Sequence, residues 1–417
     1  MALKLQTNGV APKAEPTTDS KKSKADKKPV GGNLAEVLAA IRKDKGEKTV
    51  VTGDKIATVR RLPTGIFEFD FYIGGGFPCG RYSIIYGPES SCKTNVALKA
   101  VASAQRLPGP CNKVIWVNIE QSFDPIWAAK FGVNPKDMHI VEAGYGEEAV
   151  DLVDALVRAE DVALIVVDSM AGLIASREIA QSTETYDIGT SALLIKRMVN
   201  KLMIAFCEER KRDHDPCVIL INQTRFKPNV MFGDPETMPG GEAQKFLSSL
   251  RVRLYATNDI DKATATLMFK DVKAVIKKAK VPVRATDFKF SLCVHAHDDL
   301  KIGDTDSFNM VKSHLQALGI LVKDTKGYVL KLPKTHTLGK GVIVFQTLTA
   351  MQEQYQKDVE FQRHVQALVI DNYKDSLILV EEQDYSPKTV APGAVQSIAN
   401  TDVIDKVTGE VLNAKDV

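Results

Sequence analysis

Residues 82–94, YSIIYGPESSCKT, join an apolar β-strand pattern to a polar loop that runs into a helical pattern. A loop in this position is typical of phosphate binding, because its backbone N–H groups and the helix N-terminus point at phosphate oxygens. Lys93 is expected to reach the β- and γ-phosphates of a nucleotide, and the Thr94 hydroxyl is expected to bind Mg²⁺. The residues predicted to surround the nucleotide are Gly87, Pro88, Glu89, Ser90, Ser91, Cys92, Lys93 and Thr94.

Cys92 stands where such loops usually carry glycine. Glycine lets the backbone approach a phosphate closely and adopts unusual dihedral angles at little cost. A cysteine here is expected to fit if its φ is negative and its side chain points away from the phosphate. The alternative is a turn that only resembles a phosphate-binding loop.

Polar residues end three other apolar strand patterns. Asp168 ends ALIVVD, Glu120 ends VIWVNIE, and Gln223 ends VILINQ. The carboxyl ends of parallel strands lie at one edge of a sheet, so these side chains are expected beside the loop. We expect Asp168 to hold Mg²⁺, Glu120 to act as general base on the attacking water, and Gln223 to sense the γ-phosphate. One such residue is usually a local cap, whereas three beside one loop favour a nucleotide hydrolase.

The chain is 417 residues long, and residues 58–300 alternate short apolar strands with helices. Strands without a polar face are typical of a parallel sheet covered on both sides, so the predicted fold class is α/β. The predicted strands are 82–86, 113–119, 163–167 and 217–221, and the predicted helices lie near 93–106, 124–131, 147–159 and 190–212.

Outside this core the pattern changes several times. Residues 32–57 contain an amphipathic helix over 33–46, which needs a surface to cover and is interpreted as an oligomerisation segment. Residues 301–380 are predicted to form a small α+β domain, with helices at 307–318 and within 346–373 around a hairpin-like stretch at 328–340. Residues 1–31 are basic and 381–417 acidic; both lack a dense apolar pattern, so we expect them to be disordered tails.

Composition excludes two classes of protein. There is no apolar run of about 18 residues, so the sequence predicts no membrane contact, and no secretory leader pattern is present. The six cysteines show no C-x-x-C spacing and are expected to be reduced thiols in a cytoplasmic protein.

Two predicted loops have the composition of a nucleic-acid site. Residues 178–188 follow one strand, and residues 224–241 follow another, with three prolines and three glycines that leave little regular structure. Positive charge beside aromatic rings is typical of single-strand binding. In the second loop Arg225 and Lys227 are predicted to contact phosphates, and Phe226 and Phe232 to contact bases or pack.

The chain resembles RecA-type homologous-recombination ATPases. The similarity rests on GRYSIIYGPESSCKT, NIEQSFDPIWAAKFGV, ALIVVDS and INQTRFKPNVMFGDPETMPGGEAQKF, which occur in the family's order. It implies a RecA-like ATPase core with a mostly parallel sheet, an N-terminal helix and a small C-terminal domain. It also implies ATP and Mg²⁺ as cofactors, a helical filament on single-stranded DNA, and strand exchange with double-stranded DNA. A single-strand-binding protein and loading mediators are further partners that it suggests.

The resemblance assigns further residues by position. Asp124 and Trp127 correspond to adenine contacts, although Trp127 alone would equally suit packing. Residues assigned to the nucleotide from the neighbouring subunit are Lys278 and Lys280, and the subunit-junction pair is Lys245 and Phe246. Ile188 and Pro228 correspond to side chains that wedge between base triplets. Independently of the resemblance, Lys196 and Arg197 lie on the helix after the first loop and are candidates to hold the DNA backbone. The full set of predicted DNA-binding residues is Ile188, Lys196, Arg197, Arg225, Phe226, Lys227, Pro228 and Phe232.

Two alternatives remain open from the sequence. One is a hexameric motor, such as a DNA helicase, built on the same core. The other is a filament protein that binds ATP and coats single-stranded DNA but hydrolyses little ATP because of Cys92.

Overall fold

A computed structural model of the chain describes residues 32–56, 58–180, 189–226, 236–297, 300–332, 341–373, 403–404 and 411–412. The chain divides into two compact units, Met1–Ala57 and Thr58–Val417. The first unit contains α1 (Leu34–Lys45), which begins at Asn33, whose side chain accepts a hydrogen bond from the Glu36 N–H at 3.1 Å. Val37, Leu38 and Ile41 on its apolar face are only half-buried, and Leu34 is 73% exposed.

The second unit opens with α2 (Phe67–Ile73) between two short antiparallel strands, β1 (Arg61–Leu62) and β2 (Phe77–Pro78). Its central sheet has eight strands among the described residues. The first five in chain order are β3 (Arg81–Gly87), β4 (Lys113–Asn118), β5 (Met138–Val141), β6 (Val162–Asp168) and β7 (Cys217–Gln223). A separate short pair, β8 (Arg225–Phe226) and β9 (Glu236–Thr237), follows them. The last three strands of the central sheet are β10 (Leu250–Asp261), β11 (Thr266–Ala279) and β12 (Asp287–Cys293).

The spatial order of the sheet is β12-β11-β10-β3-β7-β6-β4-β5. The six strands from β10 to β5 run parallel, and β11 and β12 continue the sheet as antiparallel strands. The helices of this part are α3 (Lys93–Gln105), α4 (Pro125–Lys130), α5 (Gly146–Leu156), α6 (Ser176–Ala180), α7 (Thr190–Lys211) and α8 (Ala243–Leu247). The predicted α/β class with a mostly parallel sheet is confirmed.

Both faces of the four central parallel strands, β3, β7, β6 and β4, are buried, as their lack of polar alternation predicts. Ile85 and Trp116 belong to the apolar cluster on one face, and their neighbours Ile84 and Ile115 belong to the cluster on the other. Four strands of the sheet were not predicted from the sequence. In β10 to β12 exposed residues alternate with buried ones or dominate the strand's second half, and the short edge strand β5 has only one buried residue. The predicted strands and helices otherwise match the observed ones within a few residues at their ends.

The C-terminal part packs its own apolar cluster against Phe71 of α2. It contains α9 (Phe308–Ala317), β13 (Leu321–Asp324), β14 (Gly327–Lys331), β15 (Val342–Phe345), α10 (Leu348–Lys357) and α11 (Val359–Asn372). In the hairpin-like stretch predicted at 328–340, β14 pairs antiparallel with β13 before it and with β15 after it, and residues 333–340 lie outside the described part. In the acidic tail, β16 (Val403–Ile404) pairs antiparallel with β17 (Val411–Leu412).

Among the described residues, no helix combines the length and apolar character that crossing a bilayer requires.

Candidate functional site

The predicted phosphate loop connects β3 to α3 at the carboxyl edge of the sheet. Gly87 is required by close approach, since a Cβ there would lie 2.3 Å from the Leu254 carbonyl oxygen. Lys93 is buried at the start of α3, and its Nζ donates to the Pro88 carbonyl at 2.6 Å and lies 3.4 Å from Ser91 Oγ. Within the loop, the exposed residues are Pro88, Glu89, Ser90 and Thr94, and the buried ones are Gly87, Ser91, Cys92 and Lys93.

Cys92 adopts a left-handed conformation, with φ 67° and ψ 21°. The condition given for a cysteine to fit, a negative φ, is therefore not met: the loop keeps the backbone geometry for which glycine is favoured, and a side chain is accommodated at a cost. That side chain is 6% exposed and packs in the apolar cluster on one face of the sheet, away from solvent. Burial raises the pKa of the Cys92 thiol to about 11, so the sulfur stays protonated near neutral pH.

Thr94 and Asp168 lie together beside the loop, because β6 ends at the same edge as β3. The Thr94 hydroxyl donates to Asp168 Oδ2 at 3.1 Å. Burial, reinforced by the negative charge of Glu120, raises the pKa of Asp168 to about 6. Burial also lowers the pKa of Lys93, against the opposing effect of Asp168 and Glu120. The Asp168 carboxylate is buried and lies near the negative charge of Glu120, so a cation there would stabilise its ionised form. Together with the Thr94 hydroxyl it forms an oxygen ligand set suited to a hard divalent cation such as Mg²⁺.

Glu120 and Gln223 are in contact at the end of β6. Glu120 follows β4 and Gln223 ends β7, and β6 lies between these two strands. Gln223 Nε2 donates to Glu120 Oε1 at 2.9 Å, and the Ser169 hydroxyl donates to the same oxygen. The Glu120 N–H in turn donates to the Asp168 carbonyl at 3.2 Å. The two residues predicted as base and γ-phosphate sensor are thus in direct contact, and their orientation is set by each other and by Ser169.

Trp127 contacts the first turn of α3, and Asp124 precedes it at the start of α4. Asp124 caps α4, its Oδ1 accepting from the N–H groups of Ile126 at 2.8 Å and Trp127 at 3.2 Å. The half-buried Trp127 ring packs on Phe131, and its Nε1 donates to Asn95 Oδ1 at 3.3 Å. These contacts account for both residues as structural elements, and their assignment to adenine stays a prediction.

Some residues predicted to contact DNA lie on the same edge of the sheet. Lys196 and Arg197 are exposed on α7, which follows the first predicted loop, and Arg225 is exposed where β8 begins. The second loop is not irregular throughout, because β8 and β9 pair antiparallel at its base. Phe226 belongs to β8 by its backbone, and the predicted residues outside the described part are Ile188, Lys227, Pro228 and Phe232.

The residues assigned to the subunit junction cluster around α8. Phe246 is 68% exposed, while Lys245 is half-buried and its Nζ bonds to Glu242 at 2.6 Å. Lys278 on β11 is half-buried, and its Nζ donates to the Lys245 carbonyl at 2.8 Å and to the Phe246 carbonyl at 2.5 Å. The other predicted lysine, Lys280, is exposed.

Sequence reasoning missed three buried polar residues of this region. Ser169 directly follows Asp168 and is 1% exposed, and Asn222 and Gln244 are both 0% exposed. Ser169 and Asn222 are adjacent in sequence to predicted site residues, which was an available signal. Gln244 carries no such signal, because its burial depends on how α8 packs.

The chain is similar in sequence to known proteins over most of the part that carries this site. Residues 32–294 match the family model described as the RecA N-terminal domain. The mitochondrial DNA repair protein recA homolog of Dictyostelium discoideum is 35% identical over 252 residues, which is 60% of this chain and 54% of that protein. Protein RecA of Allochromatium vinosum is 37% identical over 260 residues, 61% of this chain and 73% of that protein. The chain thus matches only about half the length of the Dictyostelium relative.

Proposed function

The chain belongs to the RecA family, and on that premise we propose that it is an ATP-dependent DNA recombinase. It coats single-stranded DNA as a helical filament, pairs that strand with a homologous duplex, and hydrolyses ATP when DNA is bound. The observation that carries the proposal is the placement of Glu120 and Gln223 in contact over Asp168, at the edge where the phosphate loop and both predicted DNA loops leave the sheet.

Nucleotide chemistry is assigned to residues of the carboxyl edge. Lys93 shifts from the Pro88 carbonyl to the β- and γ-phosphates, and the loop N–H groups hold their oxygens. Thr94 and Asp168 would hold Mg²⁺, which when bound neutralises charge on the phosphates. Glu120 accepts the proton of the attacking water, and the hydrogen bonds from Ser169 and Gln223 orient its carboxylate.

DNA binding is assigned to cations near the two loops. Arg225 lies one residue beyond Thr224, which directly follows Gln223, so a movement of the γ-phosphate sensor reaches the loop within two residues. Lys196 and Arg197 add positive charge at the start of α7. Cations beside a groove track the phosphate backbone without reading sequence, as a recombinase that accepts any strand requires.

Filament formation is supported by two incompletely covered apolar surfaces. The apolar face of α1 contains no fully buried residue within its own unit, and Phe246 is largely exposed on α8. A head-to-tail contact between different surfaces of successive copies generates a helix if its rotation does not close. ATP reached by Lys278 and Lys280 of a neighbouring copy would make that contact depend on the nucleotide.

The test is ATP turnover by the purified chain with and without oligo(dT). We expect DNA to stimulate phosphate release, and Lys93→Ala to abolish it. Lys113→Ala, at the amino end of β4 and away from the loop, is the matched control and should retain turnover. Wild-type turnover in the Lys93 variant would refute the assignment of the loop.

Electron microscopy with single-stranded DNA and a slowly hydrolysed ATP analogue separates the two architectures. Continuous helical filaments support the recombinase, and closed six-membered rings support the motor. Filaments without measurable phosphate release would identify an ATP-binding coat protein instead.

A further inference from the structure

Gln244 is a fully buried amide at the start of α8, in a part of the chain to which neither nucleotide nor DNA contacts are assigned. A buried amide is costly unless its donors and acceptor are used. Its Oε1 accepts from Asn222 Nδ2 at 3.0 Å, and its Nε2 donates to the Pro239 carbonyl and lies 3.4 Å from that of Gly241. Because its Nε2 faces two carbonyl oxygens and its Oε1 faces an N–H donor, the amide has one orientation.

Asn222 links this amide to the γ-phosphate sensor. It precedes Gln223 on β7, and its Oδ1 accepts from the Gln223 N–H at 2.9 Å. Its Nδ2 donates both to Gln244 Oε1 and to the Pro239 carbonyl, the latter at 3.1 Å. The side chain of Asn222 therefore joins the strand end that faces Glu120 to the last residues of the second loop.

The end of the second loop packs against Gln244. Gly240 has φ +95°, and a Cβ there would lie 2.7 Å from Gln244 Nε2 and 2.3 Å from Ile195 Cδ1. Ile195 lies on α7, the helix that follows the first loop. Ile195 of α7 and Gln244 of α8 thus both lie against Gly240, at the end of the second loop, and leave no space there for a side chain.

Gln244 also fixes α8 to the sheet. The main-chain carbonyl of Gln244 accepts a hydrogen bond from the Tyr82 hydroxyl of β3 at 3.1 Å. The next two residues, Lys245 and Phe246, are the predicted subunit-junction pair, and their carbonyls accept from Lys278. A displacement of Gln244 would therefore shift both the loop end and the junction pair.

We propose that Gln244 is the positioning residue that couples the Gln223 end of β7 to the end of the second DNA loop and to α8. This inference rests on the proposed function, since it assumes that nucleotide binding changes the affinity for DNA. Gln244 contacts neither the predicted phosphate site nor the predicted DNA-contacting side chains among the described residues, so its effect is on coupling and not on either affinity alone.

Gln244→Met tests the proposal, because methionine has similar length and no hydrogen-bonding amide. The fold should survive, since Asn222 Nδ2 and the Pro239 carbonyl still bond to each other. We measure the affinity for fluorescein-labelled oligo(dT) with and without a slowly hydrolysed ATP analogue, and ATP turnover without DNA. We expect the nucleotide-dependent gain in DNA affinity to fall about tenfold, within the usual range of coupling between sites, and basal turnover to stay within about twofold.

Gln105→Met is the matched control. The Gln105 amide also bridges two backbone groups, donating to the Asn134 carbonyl at 2.8 Å and accepting from its N–H at 2.9 Å, far from both loops in sequence. Gln105→Met should leave the nucleotide-dependent gain in DNA affinity unchanged. Tyr82→Phe, which removes only the hydroxyl bonded to the Gln244 carbonyl, should reduce the gain about threefold.

The possible results separate the two hypotheses. A wild-type chain whose DNA affinity ignores the nucleotide overturns the proposed function. If the nucleotide raises the DNA affinity of the wild type and of Gln244→Met equally, the coupling role of Gln244 is overturned. The same holds if Gln244→Met loses nucleotide binding itself. If Gln244→Met does not fold, an unchanged gain in Tyr82→Phe overturns it instead.

Discussion

Replacing Cys92 by glycine and by alanine tests whether the phosphate loop stores backbone strain. Cys92 lies in the left-handed region, which costs a residue with a side chain about 1–2 kcal/mol. Alanine removes the sulfur and keeps this cost, whereas glycine removes both. Cys79 is the matched control, because it is 4% exposed and is not among the described residues with positive φ.

The magnitude follows from two opposing terms. Glycine relieves the strain of about 1–2 kcal/mol but gains freedom in the unfolded chain, which costs about 0.4–1 kcal/mol. Taking the middle of both ranges, Cys92→Gly should therefore unfold with a free energy about 0.8 kcal/mol higher than Cys92→Ala. At Cys79 the order should reverse, with glycine about 0.4–1 kcal/mol less stable than alanine. The loss of the sulfur cancels, since each comparison starts from alanine.

Urea unfolding followed by tryptophan fluorescence measures these differences. Both tryptophans of the chain, Trp116 and Trp127, lie in the same core as the loop. Equal stability of the two Cys92 variants, or the same order at both positions, would refute the strain argument. Because the Cys92 side chain is buried away from solvent, we also expect Cys92→Gly to change ATP turnover by less than about threefold. A tenfold rise in ATP turnover in Cys92→Gly would instead favour the alternative in which Cys92 limits the wild type to little hydrolysis.

Three further outcomes are expected. Glu120→Gln should retain ATP affinity, measured with a fluorescent analogue, and lose at least about 100-fold in phosphate release, as removal of a general base does; lost affinity would instead indicate a structural role. Burial raises the pKa of Glu68 from 4.5 to about 7, so the stability that its protonated form contributes is full below pH 4.5 and is lost as the pH rises through 7. The free energy of unfolding of Glu68→Gln, measured in urea, should therefore rise relative to that of the wild type by up to roughly 3 kcal/mol between pH 5 and pH 8. A difference that does not depend on pH would contradict this. Affinity for single-stranded DNA should fall as salt rises, and Arg225→Ala should lower the slope of log Kd against log salt by about 1; an unchanged slope would remove Arg225 from the phosphate contacts.

Local patterns were sufficient for the position of the loop between β3 and α3 and for the ends of the four central parallel strands. Lys93 and Asp168 were predictable because a buried strand followed by a polar residue is encoded within a few positions of the chain. Strands β10 to β12 were not predicted, since only their first or alternate residues face the core. Their assignment required knowing that β10 pairs with β3 and extends the sheet. The short edge strand β5 was not predicted either, since only its first residue is buried.

The amino-acid sequence was enough to determine the α/β class and the chemical types present at the site, because strand periodicity and loop composition depend on neighbours in the chain. The contact of Glu120 with Gln223 was decided by the strand order, which places β6 between β4 and β7. The positive φ of Cys92 and the burial of Gln244 were likewise settled by packing, since the forces that impose them come from residues distant in sequence.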